Sequence, residues 1–309
     1  MKNFIKKAAI FVSIILLISI SIELILLTKP NVYSYKRKFV ENHLNDISVL
    51  LMGNSHIEEA LIPNMIGDSV FNFAISGRSY TIDFELAERY IPMMDNLSVV
   101  LMPLDYTAFN LGRLEHKDDV EPKQRERINS TYKCMYTKYF GVKQYGFFYW
   151  SEILNSCENY MGRLAKDNNR DFCDSLGFVG MDVQKRPEDW KEQRVPGRLI
   201  PNAEINKDAY NKLMQGYEKI CSLCKKRGAR IVLVSTPVYK TYQDAMSEVL
   251  LSDMRDFVDS LKSKYDNVEY YNFLFSQEFN DEDFFDAGHL TLTGAEKFSM
   301  MLKDSLNLK

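Results

Sequence analysis

The architecture of this chain is indicated by eight consecutive residues, Val49-Leu50-Leu51-Met52-Gly53-Asn54-Ser55-His56. An apolar run ends abruptly in a glycine, an amide, a hydroxyl and an imidazole, as expected for a buried strand of a parallel sheet that meets a turn. The residues that follow, Ile57-Glu58-Glu59-Ala60-Leu61, predict a helix start, because its two acids fall where the helix dipole favours negative charge. The pattern therefore predicts a strand that turns sharply into a helix.

Ser55 occupies this predicted turn, at the carboxyl edge of the sheet, where open α/β sheets bind ligands. Its N–H group would be among the unpaired donors of a helix N-terminus and could face an oxyanion. Near the end of the chain, Asp286-Ala287-Gly288-His289 precedes a helix whose predicted capping box is Thr293 and Glu296. The spacing lets Asp286 reach one ring nitrogen of His289, which leaves the other nitrogen for Ser55. Each piece alone is usually an ordinary turn or loop, but together they predict a Ser-His-Asp arrangement.

Three short blocks resemble the GDSL/SGNH hydrolases. Gly53-Asn54-Ser55-His56 is similar to their nucleophile block, Phe71-Asn72-Phe73-Ala74-Ile75-Ser76-Gly77 to their second block, and Asp286-Ala287-Gly288-His289-Leu290 to their last block. The resemblance covers roughly 45–108 and 205–309. It implies a flavodoxin-like, doubly wound parallel sheet of five strands in the order 2-1-3-4-5. It also implies an oxyanion hole built from the N–H groups of Ser55 and Gly77.

The third block departs from the family pattern. Where the family usually has Gly-x-Asn after the third strand, this chain has Met102-Pro103-Leu104-Asp105-Tyr106. The side-chain amide donor of the oxyanion hole is therefore missing or moved. An ionised Asp105 would repel an oxyanion, so it points away, is protonated, or weakens turnover. Relatives with incomplete third blocks include membrane-anchored proteins that handle acyl groups on cell-surface polymers.

Alternating strand and helix patterns predict one α/β domain. The predicted strands are 48–52, 70–74, 98–102, 230–235 and 268–273, and the predicted helices include 81–94, 243–264 and 294–305. Residues 110–206 break the rhythm with a dense run of charges and then an aromatic run at Tyr145–Trp150. We interpret them as a mostly helical insertion, which is either a lid or substrate platform or a unit with its own small core.

The N-terminal residues predict a membrane anchor. Lys2, Lys6 and Lys7 precede an apolar segment, Ala8–Leu27, that is interrupted only by small serines and by Glu23. About twenty such residues can span a bilayer, and no cleavage site follows them. The sequence thus predicts a cytoplasmic N-terminus at 1–7, a transmembrane anchor at 8–28, a linker at 29–44 and an extracytoplasmic α/β domain at 45–309.

Composition excludes several classes of function. The net charge is −3 and there is no long basic block, which argues against nucleic-acid binding. Five cysteines, an odd number, do not describe a disulfide framework. Cys221 and Cys224 fall within one helical pattern, which favours burial in the core over metal or redox work. Without a Gly-x-Gly-x-x-Gly or Walker signature, a flavodoxin-like nucleotide binder is the weakest alternative, and no cofactor is predicted.

Four residues near the predicted site are possible substrate contacts: Asn54, His56, Arg78 and Asp105. His56 could contact substrate, act as a rival base, or make only local hydrogen bonds. Arg78 could hold an anionic substrate group or be an ordinary exposed arginine. The sequence predicts a membrane-anchored SGNH-like serine esterase or O-acyltransferase, acting on acyl, above all acetyl, esters of carbohydrate or cell-envelope substrates. The alternative is a catalytically inactive protein that uses the same cleft to bind an envelope polymer or a partner.

Overall fold

A computed structural model describes residues 1–28, 32–109, 173–195 and 207–306. Most of the predicted insertion at 110–206, including its charged and aromatic runs, lies outside these ranges, so its interpretation as a lid or platform stays a prediction.

Five parallel strands form the central sheet, in the spatial order β2-β1-β3-β4-β5. They are β1 (Val49–Leu51), β2 (Val70–Asn72), β3 (Val99–Pro103), β4 (Arg230–Ser235) and β5 (Val268–Asn272). The predicted parallel five-stranded sheet and its strand order are confirmed. The residues of β1, β2 and β3 are all buried, as expected for strands covered on both faces.

Nine α-helices lie in the described part of the chain. They are α1 (Lys2–Thr28), α2 (Val32–Asn42), α3 (Ser55–Glu58), α4 (Pro63–Ile66), α5 (Tyr80–Tyr90), α6 (Lys207–Arg227), α7 (Lys240–Asp244), α8 (Glu248–Lys264) and α9 (Leu292–Leu306). Cys221 and Cys224 are buried in α6, as predicted. The predicted capping box before the last helix is wrong, because α9 begins earlier and Thr291 Oγ1 accepts a hydrogen bond from Gly294 N at 3.2 Å.

The turn from β1 into α3 depends on a glycine. Gly53 has φ +131°, and a methyl group there would lie 2.5 Å from Pro103 Cδ, so only glycine lets β1 and β3 end side by side. Asn54 then caps α3, since its side-chain oxygen accepts a hydrogen bond from His56 N at 3.0 Å. These two residues place Ser55 at the first position of α3.

The predicted linker at 29–44 needs correction, because α2 is part of the domain. Tyr33 and Val40 are buried, and the Phe39 ring stacks on Phe71 with centroids 4.1 Å apart. Lys36 is fully buried, and its ammonium group donates to Glu58 Oε1 at 2.7 Å and to the Ala74 carbonyl oxygen. The sequence indicated a polar linker because a lysine, Lys36, occupies the buried face of this helix.

The predicted membrane anchor at 8–28 coincides with α1. In the described ranges of the chain, no helix combines the length and apolarity needed to cross a membrane.

A two-stranded antiparallel hairpin, β6 (Phe284–Asp286) and β7 (His289–Leu290), precedes α9. The sequence predicted only a loop here. In the hairpin Asp286 pairs with His289, so the two residues lie side by side.

Candidate active site

Ser55, His289 and Asp286 form a continuous hydrogen-bonded relay. Ser55 Oγ lies 2.9 Å from His289 Nε2, and His289 Nδ1 lies 2.9 and 3.0 Å from the two carboxylate oxygens of Asp286. Asp286 Oδ1 also accepts a hydrogen bond from Gly288 N at 2.8 Å. The hairpin after β5 and the turn after β1 thus bring together residues that are 234 positions apart.

The charges around the relay reinforce one another. Burial would raise the pKa of Asp286, but the charge and hydrogen bond of His289, the Gly288 N–H group and the charge of Arg194 hold it below its ordinary value. Burial would lower the pKa of His289, but the charges of Asp286 and Glu59 and the hydrogen bond to Asp286 outweigh it, so that pKa is raised. An ionised Asp286 that accepts a hydrogen bond from the Nδ1–H group leaves Nε2 free to accept the Ser55 proton.

The sequence predicted that the backbone N–H groups of Ser55 and Gly77 form an oxyanion hole. The N–H group of Ser55 is at the start of α3, and Gly77 has φ +76° in the loop after β2. Within the ranges that the structure describes, neither group donates a hydrogen bond to the protein. The loop is held against α3, because Ser76 N and Ser76 Oγ both donate to Glu58 Oε2 at 2.6 Å. These N–H groups are of the kind that can stabilise an oxyanion.

Asp105, in place of the expected asparagine, is buried and held by neighbouring donors. Its Oδ2 accepts hydrogen bonds from Asn54 Nδ2 at 2.7 Å and from the Tyr80 hydroxyl at 3.1 Å. The Tyr80 oxygen in turn accepts from Asp105 N at 3.0 Å. Both the oxygen and the nitrogen of the Asn54 side-chain amide therefore form hydrogen bonds within the protein: the oxygen caps α3, and the nitrogen donates to Asp105. Direct substrate contact by Asn54 or Asp105 stays a prediction.

His56 packs beside the relay without replacing its base. Its ring stacks on that of His289, with centroids 4.9 Å apart and planes 16° from parallel, and its Nε2 lies 3.9 Å from Asp105 Oδ1. The Ser55 hydroxyl is hydrogen-bonded to His289, so His289 holds the position of the base. His56 is 8% exposed, and its observed contacts fit the local role that the sequence left open.

Arg78 is buried, contrary to both sequence interpretations, which placed it as an anion-binding residue or as an ordinary exposed arginine. Only 3% of the residue is exposed, and its Nη2 lies 2.6 Å from Asp83 Oδ1. Its Nη1 donates to the Phe73 carbonyl oxygen at 2.8 Å, and the guanidinium packs over the Phe73 ring. Burial raises the pKa of Asp83 to about 6 despite this ion pair. Arg78 is thus an internal brace of the second block and cannot hold an exposed substrate anion.

Two acids that the sequence explained only by the helix dipole belong to the site. Ser76 Oγ lies 2.6 Å from Glu58 Oε2 and 2.8 Å from Glu59 Oε1, and Glu58 is paired with Lys36. Burial raises the pKa of Glu59, although the charge of His289 and the hydrogen bond with Ser76 oppose that rise. The adjacency of two acids in a predicted first helical turn could have pointed to them, but their burial could not be foreseen.

No family model matches the chain, and no curated protein matches it. Among solved structures, one similar chain is provisionally described as a platelet activating factor from Streptococcus pneumonia, with 14% identity, a TM-score of 0.45, and coverage of 89% of this chain and 91% of that one. Another is provisionally described as an acylhydrolase from Bacteroides fragilis NCTC 9343, with 9% identity, a TM-score of 0.36, and coverage of 84% and 86%. Both TM-scores are below 0.5, so the function of this chain has to be argued from its own residues.

Proposed function

We propose that this chain is an SGNH-like serine esterase or O-acyltransferase that acts on acyl esters. The observation that carries the proposal is the relay from Ser55 Oγ through both ring nitrogens of His289 to Asp286, with no distance above 3.0 Å. A hydroxyl, an oriented imidazole and a carboxylate at these distances are what an activated serine nucleophile requires.

In the proposed reaction, His289 Nε2 takes the hydroxyl proton while Ser55 Oγ attacks the acyl carbonyl carbon. The N–H groups of Ser55 and Gly77 stabilise the oxyanion of the tetrahedral intermediate. The intermediate collapses as His289 returns the proton to the departing alcohol oxygen, which leaves the acyl group on Ser55. Water or a second hydroxyl then attacks the acyl-enzyme with His289 again as base, giving hydrolysis or transfer.

Carbohydrate or cell-envelope acyl esters, with acetyl as the acyl group, are the proposed substrates. This part rests on the resemblance of the sequence blocks and on the predicted anchor. Asp105 adds no hydrogen-bond donor to an oxyanion while it is ionised, so we expect slower turnover than in enzymes with an amide at this position.

Labelling with a fluorophosphonate probe tests the nucleophile. We expect the wild-type chain to be modified on Ser55 and the variants Ser55→Ala and His289→Ala to lose labelling. A matched control is Ser263→Ala, which removes an exposed hydroxyl of α8 and should leave labelling unchanged. A folded wild-type protein that stays unlabelled would contradict the proposal.

Asp105 supports one other candidate, a catalytically inactive protein that binds acylated envelope polymers. Loss of the amide donor is the kind of change that abolishes turnover but preserves a cleft. The two candidates are separated by incubating the protein with acetylated glycans. Acetate release or an acetyl adduct on Ser55 supports the enzyme, whereas saturable binding with neither product supports the binding protein.

We also propose that α1 attaches the chain to a membrane and that the α/β domain lies outside the cytoplasm. The support is the apolar sequence of this segment together with the exposure of its large side chains, among them Phe4, Ile5, Ile10, Phe11, Leu16 and Leu17. Protease treatment of intact cells is the test, because an outward-facing domain is digested. A domain that is protected until the cells are lysed would contradict this topology.

A further inference from the structure

Arg194 stands out for its backbone conformation. Its φ is +65°, and it is the only non-glycine residue with positive φ in the part of the chain that the structure describes. A left-handed conformation strains a residue that carries a Cβ atom, and such strain persists where the surroundings impose it.

The surroundings of Arg194 are fixed by the hairpin that carries the relay. Ala287 N donates to the Gln193 carbonyl oxygen at 3.3 Å, and the Thr241 hydroxyl donates to the Lys191 carbonyl oxygen. Trp190 packs against Tyr239 with ring centroids 4.7 Å apart. The segment before Arg194 is therefore bound to both β6–β7 and α7.

This docking places Arg194 beside the reactive residues. Gly288 immediately precedes His289 in the hairpin. A methyl group on Gly288 would lie 3.6 Å from Arg194 Cβ and 3.6 Å from His56 Cε1. The positive charge of Arg194 also lowers the pKa of both Asp286 and His289. The Cβ atom of Arg194 thus lies next to the hairpin that carries Asp286 and His289.

The cations next to Arg194 are paired within the described part of the chain, whereas Arg194 has no such partner there. Arg186 Nη1 donates to two backbone carbonyl oxygens, and Lys191 Nζ lies 2.6 Å from Asp281 Oδ2. Arg194 is exposed and makes no ion pair or side-chain hydrogen bond with any described residue. A guanidinium presents a planar set of donors that matches a carboxylate or a phosphate.

We infer that Arg194 binds an anionic group, a carboxylate or phosphate, on the ester substrate, so that the preferred substrates are acyl esters of negatively charged molecules. This inference rests on the proposed esterase or acyltransferase function. Without such a cation, the acids that line the relay, Asp286 and Asp105 among them, would repel an anionic substrate. Arg194 offsets that repulsion and fixes the substrate relative to Ser55.

Three acetyl esters of phenols, alike except for the para substituent, provide the test. Phenyl acetate is neutral, 4-acetoxybenzoate carries a carboxylate, and 4-acetoxyphenyl phosphate carries a phosphate. We expect the wild-type chain to have the higher kcat/KM for one or both anionic esters. Arg194→Gln should lower that value about tenfold or more, the usual cost of a charged hydrogen-bonded pair, while changing the neutral ester less than twofold. The arm that loses more identifies carboxylate or phosphate as the natural anion.

The matched control is Lys191→Gln, which removes the same charge three residues away and should leave the anionic-to-neutral ratio unchanged. Equal ratios in wild type and Arg194→Gln would overturn the inference. To separate it from the proposed function, binding of the anionic esters to Ser55→Ala and to Ser55→Ala with Arg194→Gln is measured by calorimetry. If the wild-type chain shows no turnover but the double variant binds the anionic esters more weakly, the proposed enzymatic function is refuted and the anion site is supported. If the wild-type chain turns over the esters but binding and the anionic-to-neutral ratios are unchanged by Arg194→Gln, the anion site is refuted and the enzymatic function is supported.

Discussion

The proposed chemistry should depend on pH mainly through His289. As the base, His289 must be neutral, and because its pKa is raised, it becomes neutral only at a pH above the ordinary pKa of histidine. Burial opposes this rise, but the neighbouring charges of Asp286 and Glu59 outweigh burial. The rate should therefore increase with pH through an inflection above about 6.5, the ordinary pKa of histidine.

Replacing Asp286 by asparagine tests that assignment. An amide can donate to Nδ1 and so favours the tautomer whose Nε2 carries the proton, which cannot accept the Ser55 proton. We expect kcat/KM for phenyl acetate to fall about 10²- to 10⁴-fold, and its pH inflection to move to lower pH. Circular dichroism and thermal unfolding serve as controls for folding. An unchanged pH profile would contradict the role of Asp286 in setting the pKa of His289.

Glu58 and Glu59 both lie within hydrogen-bond distance of one serine hydroxyl. The Ser76 hydroxyl has one proton, yet its oxygen lies within hydrogen-bond distance of carboxyl oxygens of both Glu58 and Glu59. Glu58 faces Lys36, whereas burial raises the pKa of Glu59. Because the hydroxyl has only one proton to donate and Glu58 has Lys36 as a second partner, Glu59 is the acid that a neutral amide can replace.

Glu59→Gln should be tolerated, because its amide group can donate a hydrogen bond to Ser76 Oγ and leave the hydroxyl proton to Glu58. We expect a free energy of unfolding within about 0.5 kcal/mol of wild type, measured by urea denaturation. Glu59→Ala removes a hydrogen-bond partner of Ser76 and should cost about 1–3 kcal/mol. If the glutamine variant is destabilised as much as the alanine variant, Ser76 requires a carboxylate acceptor at this position.

The local sequence pattern predicted those elements whose burial is indicated by their own residue types. The β1 strand and its turn were predictable because Val49–Met52 are apolar, and Gly53 and Asn54 favour a turn. The helix α2 was missed because Lys36 occupies its inward stripe, and only a distant partner, Glu58, makes that burial favourable. The β6–β7 hairpin was missed because it is too short for any periodicity to be visible.

The pairing of Lys36 with Glu58 gives a direct test of how α2 is held. Lys36→Ala leaves a buried carboxylate unpaired, which should reduce the free energy of unfolding by about 3–5 kcal/mol. The control is Arg37→Ala on the same helix, whose partner Glu41 is exposed, and it should cost no more than about 1 kcal/mol. Adding Glu58→Gln to Lys36→Ala should recover part of the loss. Equal effects of the two single variants in urea denaturation would mean that the buried pair does not hold α2.

The site as a whole follows from parallel topology. Ser55, Gly77 and Asp105 come after β1, β2 and β3, and the carboxyl ends of parallel strands share one edge of the sheet. This rule made the meeting of these residues predictable. The environments of the two arginines were not predictable, since Arg78 is close in sequence but turned inward to Asp83. The segment of Arg194 is placed beside the hairpin by contacts such as that of Gln193 with Ala287.

The two N-terminal helices should differ in their importance for the molecule. The described large apolar side chains of α1 are exposed. Deleting residues 1–28 therefore removes none of these side chains from the core. We expect this deletion to change the free energy of unfolding by no more than about 0.5 kcal/mol and to leave turnover of phenyl acetate intact. Deleting residues 1–44 also removes α2, with buried Tyr33 and Val40 and the partner of Glu58, and should cost more than about 5 kcal/mol.

Because a typical domain is stable by only about 5–15 kcal/mol, the longer deletion should bring the protein close to or past unfolding. Urea denaturation of the full chain and of both truncated chains, each kept in the same detergent, makes the comparison. The detergent prevents association through α1 from being mistaken for stability. If the shorter deletion already unfolds the protein, α1 contributes to the core, and the boundary of the α/β domain lies before residue 28 rather than between α1 and α2.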